Sequence, residues 1–291
     1  MQKIVLISLF SMILLSFTTD KPAYRLFDAK GQPTDYANLI KTASKADVVF
    51  FGELHNNPIA HWLQLELTQD LFAQKQQQLV LGAEMFEADN QLITTEYLQG
   101  LISEKNFETE CRVWDNYKTD YKPLINFAKQ NSLHFVATNI PRRYASVVAK
   151  GGLDALANLP AEARNYIAPL PIKVDLSLPG YAAMLDMGAN HSETDTIGND
   201  YFPKAQAIKD ATMAHFILKN WEKGKLFLHY NGAYHSNNYE GIVWYLKQAN
   251  PKLNIVTIST TEQKNIDGLE EENKNVADFM IAIPETMTKT Y

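Results

Sequence analysis

Two short segments that directly follow apolar runs place an imidazole three residues after a glycine: Gly52-Glu53-Leu54-His55 and Gly232-Ala233-Tyr234-His235. With 13 Gly and 7 His in 291 residues, random order gives about 0.3 such pairs, so two ask for a reason. Glu53 and His55 are two apart and share a side if the chain there is extended. A further carboxylate follows a similar apolar run in Gly82-Ala83-Glu84-Met85-Phe86. In Asn139-Ile140-Pro141-Arg142-Arg143 the proline biases Ile140 away from helix and fixes a turn that presents the arginines. Gln206, Asp210, Ala214, Ile217 and Trp221 fall on one helical face. That face is mostly apolar, so the amide and carboxylate of its first turns are costly to bury unless they bond to something in a cleft. Glu53, His55, Glu84, Asp210 and His235 together could hold a divalent metal, with His55, His235, Glu53 and Glu84 as the ligand candidates. A remaining carboxylate would then act as base on a metal-bound water. The division of roles among the carboxylates stays open.

The other histidines read differently. His61 lies in the first turns of a helix, His134 inside a strand and His215 beside an apolar stripe. Lone histidines of this kind are more often satisfied structural residues than ligands. His191, in the loop Asn190-His191-Ser192-Glu193, is left unassigned. Trp114, Tyr117 and Tyr121 precede a helix and read as packing.

These groups need elements to position them, and the chain repeats one pattern: a β-rich apolar run, a polar loop, then a stretch of helical periodicity. Strands are expected at Asp47 to Phe51, Leu79 to Glu84, Leu133 to Thr138, Lys225 to Tyr230, Leu253 to Ser259 and Asp278 to Ile283. Such alternation implies an α/β fold, a mostly parallel sheet with helices on both faces. Asn57 as N-cap and Pro58 at the first helical position start a helix that runs to about Gln77. Between Pro141 and Pro203 no convincing strand appears. Residues 141–203 therefore read as a small all-helical insert within a sheet domain made of residues 20–140 and 204–291. In an open parallel sheet, ligands collect outside the carboxyl ends of the strands, where both Gly-x-x-His segments fall.

Composition removes several classes. The formal net charge is −6, with no dense Lys/Arg tract, so nothing marks a nucleic-acid footprint. Cys111 is the single cysteine, which excludes an intramolecular disulfide framework, a Cys-rich metal site and a lipidated cysteine after the leader. The leader itself, residues 1–19, has Lys3 followed by an apolar run from Ile4 to Phe17. That run is too short to span a bilayer, which takes about 20 residues, and suits a signal-peptide core. The chain is expected to be exported, to the periplasm or the outer membrane.

The succession FGELHNNPIAH, GAEMFEADNQ, NIPRRY, QAIKDATMAHFI and HYNGAYHSN resembles the ChaN-like haem-binding family of bacterial envelope proteins, from about Asp47 to Ser259. The resemblance implies a parallel sheet flanked by helices, a small helical domain, and haem binding linked to iron acquisition and outer-membrane haem uptake machinery. It also implies a homodimer in which two haems stack face to face, each iron ligated by tyrosine. Carried onto this chain, the pocket residues are Glu53, His55, Glu84, Arg142, Gln206, Asp210 and His235. The usual lipoprotein cysteine is absent. The family looks related to the Tiki and erythromycin-esterase group, which keeps a metal-dependent hydrolase open as the alternative. For the iron ligand, Tyr181 lies among the soft apolar residues of Leu178 to Met187, and Tyr144 beside Arg142 and Arg143 is the reserve. Haem propionates need cationic partners. A carboxylate-rich pocket is a poor home for them, so haem is expected against the insert, apart from the strand-end cluster.

Overall fold

The computed structural model describes residues 21–189 and 200–291. The expected leader and His191 lie outside them. In chain order the elements are β1 (Arg25–Asp28), α1 (Tyr36–Ala43), β2 (Val48–Glu53), α2 (Pro58–Lys75), β3 (Leu79–Glu87), α3 (Gln91–Leu98), α4 (Glu104–Glu110), α5 (Lys122–Gln130) and β4 (His134–Asn139). There follow α6 (Arg142–Gly151), α7 (Pro179–Ala189), α8 (Tyr201–Asn220), β5 (Leu226–Gly232), α9 (Ile242–Ala249), β6 (Ile255–Gln263) and β7 (Phe279–Pro284).

The strands form one seven-stranded sheet in the order β1-β7-β6-β2-β5-β3-β4. Every pairing is parallel except that of β1 with β7 at the edge. The fold class is thus the α/β one that the alternating runs imply. Period-two alternation sorts each central strand between two cores. Val49, Phe51, Leu81 and Leu228 face α2 and α5, while Val48, Phe50, Val80 and Phe227 face α8 and α9. Both faces being covered is why these strands read as unbroken apolar runs. α2 begins as its sequence demands, with the Asn57 side chain accepting from the Ile59 and Ala60 amides and Pro58 in the first turn.

β1 is the strand that periodicity does not reveal. It has four residues, of which only Leu26 and Phe27 are buried, too short for a periodic signal. The main strands also run further than their apolar cores. β2 ends at Glu53 rather than Phe51, β3 at Glu87 rather than Glu84, and β5 at Gly232 rather than Tyr230. The added residues are Gly52 and Glu53 in β2, Met85, Phe86 and Glu87 in β3, and Asn231 and Gly232 in β5, so only in β3 does the extension carry large apolar side chains, both of them buried.

Between β4 and α8 the described residues contribute only helical elements: α6, two 3-10 turns (Leu153–Asn158 and Ala161–Tyr166) and α7. Val148, Leu156, Ile167 and Ala168 pack against Ala205 and Ile208 of α8, so the insert and the return helix share one apolar cluster. No described helix is long and apolar enough to cross a membrane.

Candidate functional site

The carboxyl ends of β2, β5 and β3 lie side by side and carry the chemistry. Glu53, the last residue of β2, is 1% exposed. Its Oε1 accepts from His55 Nδ1 at 2.8 Å and from the Tyr121 hydroxyl at 2.6 Å, and its Oε2 from Gln64 of α2. Beneath it, His61 Nε2 donates to the His55 carbonyl at 3.0 Å and lies 3.4 Å from Asp120 Oδ2. Asn116 also donates to the His55 carbonyl, at 3.0 Å, and to Asp120, at 2.7 Å. Burial pushes the Glu53 carboxyl up, but the His55 hydrogen bond and the charges of His61 and His55 outweigh it and hold the group below its ordinary range. Burial likewise pulls His55 down, and its bond to Glu53 with the charge of Glu84 lifts it above the ordinary value.

A second network runs from β3 to the insert. Against β4, β3 carries extra residues between Ala83 and Glu87, a bulge that falls at Glu84. Glu84 Oε2 accepts from the Gly232 amide at 2.7 Å, and Oε1 lies 3.3 Å from His235 Nε2. His235 Nδ1 donates to Asp210 Oδ1 of α8 at 2.5 Å, and Asp210 Oδ2 accepts the Tyr181 hydroxyl of α7 at 2.6 Å. An imidazole between two carboxylates holds its proton strongly. Burial opposes charging His235, but Glu84 and Asp210 together raise its pKa to about 10. Glu84 is correspondingly held far below the carboxylate range, its burial overcome by the charge and hydrogen bond of His235.

The two Gly-x-x-His turns interlock. A Cβ on Gly52 would come within 2.9 Å of the Ala233 backbone, and one on Gly232 within 2.7 Å of His55 Nε2. Glycine at each position lets one motif lie against the other.

Above these networks is a cleft of about 330 Å³ lined by His55, Glu84, Glu87, Trp114, Asn139, Ile140, Arg142, Gln206, Lys209 and His235. Five of the seven pocket residues expected from sequence, His55, Glu84, Arg142, Gln206 and His235, therefore line one cavity. Glu53 sits just below, behind His55, and Asp210 behind His235. The carboxylates expected at the strand ends are layered: Glu84 and Glu87 line the cleft itself. Glu53 and Asp210 are buried under the histidines, and Arg142 and Lys209 join the imidazoles at the surface of the cleft. Among the described residues no three His, Cys, Asp or Glu side chains form a metal-ligand group. The candidate ligands His55, His235, Glu53 and Glu84 are paired with one another instead. Chemically, His55 with Glu53 behind it is an oriented group able to exchange a proton with whatever occupies the cleft.

The insert tyrosines divide. Tyr181 is 4% exposed, and its hydroxyl is engaged by Asp210. Burial and that carboxylate push its phenol far up, against forming a tyrosinate. It is a member of the strand-end network, so the expected separation of Tyr181 from the polar cluster does not hold. Tyr144 is half-buried; Arg143 stacks on its ring, 4.4 Å from the centroid, and donates to its hydroxyl at 3.2 Å.

A different, apolar groove opens between α8, α9 and the base of the insert. It holds about 330 Å³ and is walled by Ile172, Ala211, Ala214, Leu218, Trp244 and Tyr245, with His215 and Lys173 at its edge. Burial, then the nearby Lys219, pulls His215 below the ordinary imidazole range. The Tyr245 hydroxyl donates to the Lys173 carbonyl at 2.8 Å, and the Lys173 ammonium lies 5.5 Å from the Trp244 ring centre.

Sequence reasoning missed several of these residues. Asn116, Asp120 and Tyr121 belong to a five-residue π-helical turn, Tyr117–Tyr121, and its entry. Trp114, read as packing, lies edge-on to His55 at 5.0 Å and lines the cleft. His61 is structural in the sense that it holds the His55 backbone, and His134 begins β4 exposed. Polar residues four apart in an aromatic cluster, Asn116 and Asp120, were the available signal.

The profile described as haem-binding uptake, Tiki superfamily, ChaN, matches residues 39–246. A solved structure of cofacial heme binding to ChaN of Campylobacter jejuni superposes with a TM-score of 0.67 at 16% identity, covering 89% of this chain and 96% of that one. A succinoglycan biosynthesis protein gives 0.51 at 10% identity over 90% and 94%. An erythromycin esterase variant in its open conformation gives 0.45 at 12% identity over 90% and 83%. Comparison with curated protein sequences gives no match. The first two likenesses, at these identities, speak to the fold. The matched stretch runs from α1 through both Gly-x-x-His turns into α9, and the chain accordingly belongs to the ChaN family of haem-binding uptake proteins in the Tiki superfamily.

Proposed function

We propose that the protein is an exported haem-binding component of iron acquisition, and that haem lies in the groove between α8 and α9 with His215 as the axial ligand. The observation that carries this reading is the groove itself. Haem needs an apolar face, a nitrogen or oxygen ligand and cations near its propionates. Trp244, Tyr245, Leu218 and Ile172 offer the first, His215 the second and Lys173 the third. An imidazole held neutral keeps its lone pair for iron. When bound, haem would supply the iron chemistry, and this chain's residues hold it and shield one face.

One specific observation favours Tyr144 as an alternative ligand. Arg143 stacks on the Tyr144 ring and donates to its hydroxyl, which places a cation suited to a propionate beside a phenol oxygen. Tyr181, the first expectation, has its oxygen committed to Asp210. The hydrolase alternative draws on the strand-end groups, whose metal-binding atoms are paired with one another, and haem is the reading adopted. Export rests on the leader, Lys3 and the run from Ile4 to Phe17. A second copy laid over the open groove would cover the exposed haem face, which makes a homodimer the expected loaded state and outer-membrane haem uptake machinery the expected partner.

Haem titration of the full chain, followed by its visible spectrum, tests the assignment. His215→Ala is expected to change the Soret band and weaken binding at least tenfold, while Tyr144→Phe and Tyr181→Phe leave both unchanged. Loss of the spectrum in Tyr144→Phe with His215→Ala unaltered would move the haem to α6. Sedimentation with and without haem checks the dimer, and fractionation of cells expressing the chain with and without residues 1–19 checks export.

A further inference from the structure

We propose that the strand-end cleft is a second ligand site, distinct from the haem groove, that takes a small hydroxycarboxylate anion. The cleft of about 330 Å³ is at the small end of ligand cavities, which run from about 300 to 1,000 Å³. Its mouth carries two cations, Arg142 and Lys209. Among the described residues neither has a carboxylate within salt-bridge distance. Their neighbours differ: Arg112 is paired with Glu87 and Asp89, and Arg143 with Asp89. The carboxylates at the cleft are already occupied, Glu84 by the Gly232 amide and His235, Glu87 by Arg112, and Asp210 behind them by Tyr181 and His235. The two cations at the mouth are therefore what an incoming anion meets.

Two orphaned oxygens specify the rest of the ligand. Asn139 Oδ1 and Gln206 Oε1 are buried and, among the described residues, have no hydrogen-bond partner. Asn139, 9% exposed, ends β4 on one side of the cleft, and Gln206 projects from α8 on the other. A buried carbonyl oxygen left unpaired is unfavourable, and a ligand hydroxyl that donates to it removes the penalty. An anion that also carries hydroxyl donors meets the cations and the amide oxygens together. Trp114 and Ile140 leave apolar wall for a short carbon skeleton.

Malate and succinate differ by one hydroxyl and serve as paired probes, read by calorimetry or by Trp114 emission on the haem-free full chain. Malate is expected to bind saturably through its one hydroxyl donor, with succinate at least about tenfold weaker because it has no hydroxyl to give either amide oxygen. Arg142→Gln and Lys209→Gln, on exposed or half-buried side chains, should each weaken malate about tenfold. His215→Ala should bind malate as the parent does. Equal affinity for malate and succinate would overturn the hydroxyl requirement. Malate binding unchanged in Arg142→Gln, or no saturable binding by about 10 mM in a preparation that still takes up haem, would overturn the site and leave the haem assignment standing.

Discussion

The strand-end networks and the α8/α9 groove are similar in volume and opposite in construction. In the first, the buried charged groups are fixed by named partners: Glu53 by three donors, His235 by two carboxylates, Asp210 by a phenol and an imidazole. In the second, the walls are mostly apolar and the polar side chains His215, Lys173 and Gln248 stand at the edge of an open surface. The first is defined by pairings and loses its form when one partner goes. The second is defined by shape and tolerates single changes, with binding rather than stability as the quantity that responds.

The sharpest way to break this contrast is His235→Ala. It leaves Glu84 and Asp210 buried without their shared cation, and removing one partner of a buried ion pair costs about 3–5 kcal/mol. Denaturant unfolding should show a loss of that order, and a change under about 1 kcal/mol would mean that water enters and re-solvates the pair. Tyr181→Phe comes next. It removes one donor from Asp210 and keeps the ring, for an expected loss of about 1–3 kcal/mol, with haem uptake unchanged. Retained stability together with lost haem would restore Tyr181 as the ligand.

The pH dependence of stability separates the regions further. His235 is charged in the fold up to about pH 10, whereas an unfolded histidine releases its proton near pH 6.5. Its contribution is therefore complete below about pH 6.5 and declines as pH rises toward 10. Glu84, held below its ordinary range, contributes above about pH 4.3 and loses that contribution as pH falls further. Thermal unfolding from about pH 4 to 10 should show a maximum between these limits, and His235→Ala should remove most of the alkaline slope. A slope that survives the substitution would assign it to His55, whose shift has the same sign. The smallest effect belongs to Arg143→Ala. Its exposed pair with Asp89 is worth about 0–1 kcal/mol, so unfolding should barely move, and haem binding changes only if Tyr144 is the ligand.

The sequence made the parallel sheet legible because its central strands are buried on both faces, and Val48 to Phe51 or Leu226 to Leu228 need no partner to be recognised as apolar runs. The pocket was legible for a related reason: ligands gather at strand ends, and Glu53, His55, Glu84 and His235 all follow apolar runs directly. What could not be read was depth. Nothing in the residue types says that Glu53 lies behind His55, or that Asp210 is reached by Tyr181 from the insert, because such pairings depend on elements distant in the chain. The same limit hid the groove. Ala211, His215 and Leu218 on α8 are ordinary helix residues until α9 and Ile172 of the insert stand beside them.

The strand order has a consequence for how the protein is made. β2, at the centre of the sheet, bonds only to β5 and β6, with Val48 paired to Phe227 and Ile255, and β1 waits for β7, Arg25 opposite Ala282. Pairings across such distances in sequence are slow to form. While the chain emerges from the ribosome, β3 can pair early with β4, but β2 keeps both edges open until some 170 further residues have been synthesised. Glu53 and His55 therefore meet Gly232 only after three-quarters of the polypeptide exists. A nascent chain shorter than that has an aggregation-prone strand and no strand-end site, so ligand binding at the cleft reports that synthesis has passed β5 and the sheet has closed around its first central strand.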